Sequence, residues 1–236
     1  MVLENNNKIQ VLCTRPVAAE LVQEAAAKGI AIDMLSFIET APIKSVEVQQ
    51  EIENVLNLTA TVVFTSMNAV EAVAEFLIDE QPEWKIYCIG NTTRRLVKKY
   101  FGEHSIAGTA DSAAALAEVI IEEGIAKKVY FFCGDQRREE LPQILKQNNT
   151  ALYEIVVYQT MAVPHKISKL YAGILFFSPS AVESFFLVNK SIEKTIFFSI
   201  GETTSAAIKK YTSNKIILAD EPGKEELLRN MMEFFS

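Results

Sequence analysis

Short turns rich in hydroxyl, amide and glycine residues follow the apolar, strand-like segments of this chain. Ser, Thr and Asn at such positions often cap the helix that follows. Exposed backbone N–H groups and hydroxyls at helix N-termini also bind anions. Both interpretations stay open for any single turn, but the whole set favours a surface that grips a ligand with many carboxylates or phosphates. The turns are Thr14-Arg15 and residues 65–68, 90–93, 134–137, 178–180 and 201–204.

Two further residue types could act on such a ligand. Arg15 could clamp an acidic group through paired hydrogen bonds, and so could the arginines of RREE at 137–140. The RREE segment is equally typical of a solvated helix start. Tyr158, in the segment VVYQT, is either a packed aromatic or a weak acid that hydrogen-bonds a leaving hydroxyl.

The sequence lacks the residue patterns of several other common kinds of active site. Cys13, Cys88 and Cys133 lie singly in apolar runs without CxxC spacing, which predicts core positions in a reducing compartment. His104 and His165 lie far apart, so zinc sites and histidine-based triads are not supported. The sequence has no GxGxxG after its first strand, no GxxxxGK[ST] and no GxSxG. The residues therefore support neither a zinc site nor a dinucleotide or nucleoside-triphosphate site.

The elements that position these turns repeat along the chain. VVFTSMNAVEAVAEF (62–76) resembles ILFFSPSAVESFF (174–186) at an offset of 112 residues, and IYCIGNTTRRLVKKY (86–100) resembles FFSIGETTSAAIKKY (197–211) at 111. The offset of 111 continues into 106–120 and 217–231. A constant spacing of this kind indicates two domains of one design.

One repeated unit is out of order. KKVYFFCGDQRREELPQIL (127–145) most resembles KIQVLCTRPVAAELVQEA (8–25), at the start of the chain. We therefore predict a discontinuous domain 1, residues 1–38 and 158–236, with domain 2, residues 39–157, inserted. The crossings LSFIETAPI (35–43) and LYEIVVYQT (152–160) are rich in β-forming residues, so we expect them to pair as a two-stranded connector.

Apolar strands alternate with amphipathic helices throughout. Pro16 suits the first turn of a helix that Gly29 ends, and Asp111 or Ser112 suits the N-cap of a helix that ends at Gly124. This alternation predicts an α/β fold: two similar domains, each a flavodoxin-like or doubly wound parallel sheet flanked by helices. Ligands bind such sheets beyond the carboxyl ends of the strands, where the polar turns lie.

The composition of the chain argues against two classes of partner, nucleic acids and membranes. The chain has 236 residues, 49% of them hydrophobic, and a net charge of −7 without a basic cluster, which argues against nucleic-acid binding. No apolar run is long enough to cross a bilayer, and the N-terminal MVLENNNKIQ lacks signal-peptide character. We expect a cytoplasmic protein without a membrane partner, and a monomer because each domain completes its own core.

The ordered motifs resemble the uroporphyrinogen-III synthase family. They are LCTRP, FTSMNAVEA, CIGNTT, GDQRREELP, VVYQT, FFSPSAVESF and SIGETTSAAIKK, and they run from about residue 9 to 232. The resemblance implies a two-domain α/β enzyme with a discontinuous first domain. It also implies the substrate hydroxymethylbilane, a linear tetrapyrrole with eight carboxylates, which is closed with loss of water and inversion of ring D through a spiro intermediate. No cofactor or metal takes part in the family's reaction.

The resemblance also assigns residue roles. Tyr158 matches the family's tyrosine and is the candidate for protonating or hydrogen-bonding the leaving hydroxyl. Basic residues that other members carry near the FTS and IGxTT segments are replaced here by Met67-Asn68 and Thr195-Ile196. The predicted substrate-binding residues are Arg15, Thr65, Ser66, Asn68, Ala69, Thr93, Gly134, Ser178, Ser180, Thr203 and Thr204.

Two other functions fit the same pattern. A non-catalytic sensor of the same fold would bind a tetrapyrrole or another polyanion without turning it over. A sugar-phosphate isomerase or binding protein would share the hydroxyl-rich strand ends, but the sequence offers no convincing His or Glu as its base.

Overall fold

A computed structural model describes residues 8–77, 81–124, 128–190, 194–221 and 223–236. Residues 1–7 of the N-terminal segment judged above for signal-peptide character lie outside the described residues. The strands are β1 (Ile9–Cys13), β2 (Ile30–Met34), β3 (Ile38–Pro42), β4 (Ala60–Phe64), β5 (Trp84–Ile89), β6 (Ile106–Ala110), β7 (Lys128–Gly134), β8 (Ala151–Ala162), β9 (Gly173–Phe176), β10 (Ile196–Ser199) and β11 (Ile216–Leu218).

Helices alternate with these strands, as the sequence pattern predicts. They are α1 (Ala19–Ala27), α2 (Val46–Leu56), α3 (Met67–Ala74), α4 (Gly90–Phe101), α5 (Ala113–Glu122), α6 (Glu140–Gln147), α7 (Pro179–Val188), α8 (Glu202–Lys209) and α9 (Lys224–Phe235). Within the described residues, no helix is both long and apolar enough to cross a membrane.

The strands form two sheets. The first is parallel throughout, in the order β2-β1-β9-β10-β11. The second has the order β3-β8-β7-β4-β5-β6 and is parallel from β8 to β6. The predicted α/β class with helix-flanked parallel sheets is confirmed.

The sheet orders account for the sequence repeat. The repeat matches β7 to β1, β4 to β9, β5 to β10 and β6 to β11. With β8 in the place of β2, the order β8-β7-β4-β5-β6 has the same arrangement as β2-β1-β9-β10-β11. The two sheets therefore have the same strand arrangement, but the order along the chain differs. The repeat begins with β1 in the first sheet and with β4, the equivalent of β9, in the second.

The chain divides into two compact units. One comprises the chain up to Glu39 together with Met161–Ser236, and the other is Thr40–Thr160. Each unit has apolar cores on both faces of its sheet. The predicted domains, 1–38 with 158–236 and 39–157, remain a prediction as units that fold on their own.

The two connecting segments pair, as predicted. Strands β3 and β8 are neighbours, and backbone hydrogen bonds from Ile43 to Val157 and from Val163 to Phe37 run them antiparallel. However, β8 also pairs with β7 along most of its length, so the connector is part of the second sheet and not a free ribbon.

Helix ends follow the sequence signals with one exception. Ser112 is the N-cap of α5 and accepts a hydrogen bond from the Ala115 N–H at 3.1 Å, while Gly124 adopts a positive φ just past the helix end. The prediction that Pro16 lies in the first turn of α1 is wrong. The helix begins at Ala19, because the residue before it, the N-cap Ala18, still has an extended backbone conformation.

Candidate active site

The six polar turns lie at neighbouring strand ends within each sheet. In the first sheet, β1, β9 and β10 are adjacent and parallel, so their following turns share one edge. In the second sheet the same holds for β7, β4 and β5. The connections reverse direction between β1 and β9 and between β7 and β4, and parallel sheets bind ligands at such points.

A β-bulge sets the direction of Tyr158. The β7–β8 register pairs Cys133 with Val156 and then Gly134 with Tyr158, which skips Val157. Val156 packs in the core under α5 and α6, so regular alternation would place Tyr158 on that face too. Instead Tyr158 packs with Val157 on the face that α3 covers. Bulges commonly re-aim a side chain next to a functional site.

Gly134 makes room for the Tyr158 ring. A Cβ atom built on Gly134 would lie 2.6 Å from Cε2 and 2.7 Å from the hydroxyl of Tyr158. No side chain larger than hydrogen fits there unless the ring moves. The predicted role of Gly134 is therefore best understood as a support on which the tyrosine ring lies.

The Tyr158 phenol is held in its protonated form. Burial raises its pKa above the ordinary value of 10, and the charge of Asp135 acts in the same direction. A hydrogen bond with the Ser66 side chain opposes this shift without cancelling it. At neutral pH the phenol is thus a hydrogen-bond donor and not a base.

Backbone hydrogen bonds fix the turn around this tyrosine. The Asp135 N–H donates to the Tyr158 carbonyl at 3.1 Å, and the Asp135 carboxylate accepts from the Thr160 N–H at 3.0 Å. Ser66 caps α3 by accepting from the Asn68 N–H at 3.2 Å. Four predicted residues, Ser66, Asn68, Gly134 and Tyr158, therefore belong to one cluster, which we call the tyrosine cluster.

A cavity of about 250 Å³ opens beside the tyrosine cluster. Tyr158 and Asn68 line it, together with Glu71 of α3 and Thr40–Pro42 of β3. Sequence reasoning missed the β3 residues, because a connecting strand carries no motif. The one sequence feature that could have placed these residues near Tyr158 was the expected pairing of the two crossing segments.

A larger cavity lies at the other end of the strands. It has about 1060 Å³ and is lined by residues such as Leu58, Thr59 and Glu83, which precede β4 and β5. None of the predicted residues lines it. Since parallel sheets bind ligands at the carboxyl ends of their strands, we place the candidate site at the smaller cavity.

Helix capping accounts for two of the predicted hydroxyls. Ser66 caps α3, and Ser178 caps α7 by accepting from the Ala181 N–H at 3.2 Å. The N-caps of α4 and α8, Ile89 and Gly201, make no side-chain capping bond. The hydroxyls of the GNTT and GETT turns therefore do not serve as N-caps of these two helices.

The remaining predicted residues differ in exposure. Ala69 is fully buried in the core, which leaves its methyl group no surface for a substrate. Thr93 and Thr204 are also buried, because they lie on the inner faces of α4 and α8. Thr203 is exposed, and the side chains of Arg15, Thr65, Ser178 and Ser180 are half-buried.

Arg137 is already paired. Its guanidinium contacts Glu154, which also binds Lys146 at 2.8 Å, so the suggested clamp at this position is engaged within the protein. These cations hold the pKa of the Glu154 carboxyl below its usual range, although burial opposes them. Arg138 at the same turn is exposed.

The cysteines are unsuited to nucleophilic chemistry. All three are free and buried, and burial raises the pKa of Cys13 and Cys133 to about 12 and that of Cys88 to about 11. They pack as small core residues, as predicted. In the part of the chain that the structure describes, no group of His, Cys, Asp and Glu could hold a metal ion.

Fold and site together define an α/β protein with two permuted, mainly parallel sheets and polar turns at the carboxyl ends of their strands. A family model described as uroporphyrinogen-III synthase HemD matches residues 19–229. The chain therefore belongs to the uroporphyrinogen-III synthase family.

Solved structures agree with this fold. The crystal structure of uroporphyrinogen-III synthetase from Helicobacter pylori 26695 matches with a TM-score of 0.65 at 17% identity, over 96% of this chain and 99% of that one. A triple mutant of uroporphyrinogen III synthase from the extremely thermophilic bacterium Thermus thermophilus matches with a TM-score of 0.61 at 12% identity, over 96% and 98% of the two chains. At these identities the likeness concerns the fold.

Proposed function

We propose that this chain closes hydroxymethylbilane to uroporphyrinogen III, with loss of water and inversion of ring D, in heme biosynthesis. Membership of the synthase family supports this reaction. The structural observation that carries the proposal is the protonated Tyr158 phenol, which a bulge turns to the face that α3 covers, beside Gly134 at the end of β7.

Tyr158 assists the first step. The pyrrole nitrogen pushes electrons toward the hydroxymethyl carbon, so its C–O bond needs only modest help to break. The phenol either donates its proton, so that the oxygen leaves as water and a phenolate remains, or donates only a hydrogen bond, so that the oxygen leaves as hydroxide. The resulting azafulvene cation is delocalised over the pyrrole ring. The proton released at the final ring closure restores the phenol in the first case and converts the hydroxide to water in the second. General-acid help of this kind contributes ~10²–10⁴-fold to a rate.

Isomer choice is a matter of geometry. The ring D carbon that already bears a bridge must attack the cationic methylene carbon, which gives a spiro intermediate that fragments and recloses with ring D inverted. Without guidance the chain closes to the type I isomer. The enzyme selects the spiro path by holding the acetate and propionate arms so that this carbon is nearest.

The polar turns supply that grip. Thr65, Ser66 and Asn68 offer hydroxyl, amide or backbone donors at the strand ends of the second sheet, and Ser178, Ser180 and Thr203 offer the same in the first sheet. For the buried Ala69, Thr93 and Thr204, backbone N–H groups at the helix starts are the available donors.

An isomer assay tests the proposal. Purified protein is incubated with freshly prepared hydroxymethylbilane, and the products are oxidised and separated by chromatography. We expect type III porphyrin to dominate, against type I in a protein-free control. Type I alone in both samples would reject the proposed reaction.

No comparison supports the non-catalytic sensor. Tight binding of a tetrapyrrole together with type I product only would favour it.

We also propose that the protein acts in the cytoplasm as a monomer, because each compact unit has its own cores. Light scattering should then give the chain mass of 26.3 kDa.

A further inference from the structure

Arg15 occupies the switch point of the first sheet. It follows β1 by two residues, and the neighbouring strand β9 ends just before Phe177. The Thr14 backbone N–H and hydroxyl both bind the Leu175 carbonyl, at 3.1 and 2.8 Å, which ties the ends of the two strands together. The guanidinium carbon of Arg15 lies 5.7 Å from the Phe177 ring centroid.

The Arg15 guanidinium has an unused donor. Its Nε is buried and has no hydrogen-bond partner in the structure. An unsatisfied buried donor costs free energy, and the cost is larger for a charged group. Burial correspondingly lowers the pKa of Arg15.

A second cation lies near the first. Lys224 opens α9, a helix of 12 residues that packs against β9 and β10. Because α9 follows the parallel strand β11, its N-terminus lies at the carboxyl edge of the sheet, where Arg15 also lies. Partial loss of hydration lowers the pKa of Lys224, and the Arg15 charge lowers it further.

Neither cation has a carboxylate partner among the described residues. Lys169 of the same unit, by contrast, contacts the Asp33 carboxylate at 2.6 Å. Two positive charges held together without a counter-ion repel each other. This arrangement is typical of an anion site built at the expense of stability.

We propose that Arg15 and Lys224 together form a carboxylate-binding subsite at the β1–β9 switch point. This inference rests on the proposed function, and within it the subsite takes one acetate or propionate arm of the tetrapyrrole. The planar guanidinium offers paired N–H groups to the two carboxylate oxygens, and the ammonium adds a point charge. Lys224 is thereby a binding residue that sequence motifs did not indicate.

Kinetics of Lys224→Met test the subsite. Losing one charge-assisted contact should raise KM for hydroxymethylbilane about tenfold, while kcat and the type III product stay unchanged. Lys224→Arg should restore KM. The control is Lys210→Met, at a lysine that is exposed like Lys224 but lies outside the subsite, which should behave as wild type. An unchanged KM in Lys224→Met would overturn the inference.

Thermal unfolding separates this role from a structural one. Because Lys224 lacks a carboxylate partner and is repelled by Arg15, Lys224→Met should unfold at the same or a higher temperature than wild type. A lower unfolding temperature in Lys224→Met that Lys224→Arg restores would mark Lys224 as structural and overturn the inference.

A binding measurement tests the subsite independently of the proposed reaction. Uroporphyrin III, which carries eight carboxylates, is titrated into ¹⁵N-labelled protein. We expect the Arg15 Nε–H signal to shift in wild type and to shift much less in Lys224→Met. If wild type made only type I product but this shift occurred, the proposed reaction would fail and the subsite would stand. If Arg15 Nε did not respond, the subsite would fail whatever the reaction.

Discussion

At the scale of single residues, the tyrosine cluster combines three properties that its members lack alone. Tyr158 supplies a phenol whose raised pKa keeps it protonated, Ser66 fixes its hydroxyl, and Gly134 leaves room for its ring. A phenol with a raised pKa is a weak acid, but it suits a step in which the pyrrole nitrogen supplies most of the driving force. In the proposed mechanism the residue therefore acts mainly by donating a hydrogen bond.

Tyr158→Phe should lower kcat by about 10²-fold or more, because the departing oxygen loses its donor while the ring keeps its packing. Steady-state kinetics and product isomer analysis measure this. The matched control is Tyr153→Phe, on the same strand and 48% exposed, which should leave kcat unchanged. A kcat equal to that of wild type in Tyr158→Phe would remove the residue from the mechanism.

Gly134→Ala should displace the Tyr158 ring and so reduce both stability and kcat. A double-mutant cycle tests the cause. Adding Gly134→Ala to Tyr158→Ala should cost much less stability than adding it to wild type, because the clashing ring is gone. Urea unfolding gives the four free energies. Equal costs in both backgrounds would show that the ring is not what Gly134 accommodates.

At the scale of secondary-structure elements, the helix starts serve two purposes. Side-chain capping explains Ser66 and Ser178, whereas α4 and α8 begin without a side-chain cap. A cap stabilises its helix by satisfying an N–H group that lacks an intrahelical partner. Where the capping serine also contacts Tyr158, one side chain contributes to folding and to the site.

Ser66→Ala and Ser112→Ala separate these purposes. Each removes an N-cap from a helix of the same unit and should cost about 1 kcal/mol of unfolding free energy. Of the two, Ser66→Ala alone should also lower kcat, because Ser66 hydrogen-bonds Tyr158 whereas Ser112 caps a helix away from the tyrosine cluster. Denaturant unfolding and kinetics on both variants give the comparison. Equal kcat values in the two variants would contradict a role for Ser66 in the site.

At the scale of the whole molecule, two sheets of one design are entered by the chain at different strands. The first unit is built from both ends of the chain, and the second is continuous from Thr40 to Thr160. A continuous unit with cores on both faces of its sheet has what independent folding requires.

A fragment of residues 39–160 should therefore fold alone. We expect one cooperative thermal transition by circular dichroism. The control is a fragment of residues 39–150, which lacks β8 and exposes the hydrogen-bonding edge of β7, and which should not unfold cooperatively. If 39–160 showed no transition, the predicted inserted domain would be wrong as an independent unit.

Several features of this protein could be predicted from its residues alone. Strand–helix alternation, the Ser112 cap and the repeat offsets are local or periodic signals, so they hold in whatever way the strands later pack. The repeat also indicated which strands correspond in the two sheets. The start of α1 was misplaced because Pro16 tolerates an extended loop as readily as a first helical turn.

The sequence by itself determined the α/β class, the paired design of the two sheets and the polar turns at the strand ends. Only the tertiary structure decided which residues meet. A one-residue bulge between β7 and β8 aims Tyr158 at α3 and over Gly134, and a shift of one residue reverses the face of every side chain beyond it. The nearness of Arg15 and Lys224, more than 200 positions apart in the chain, likewise arises from the strand order, because parallel strands collect distant turns at one edge.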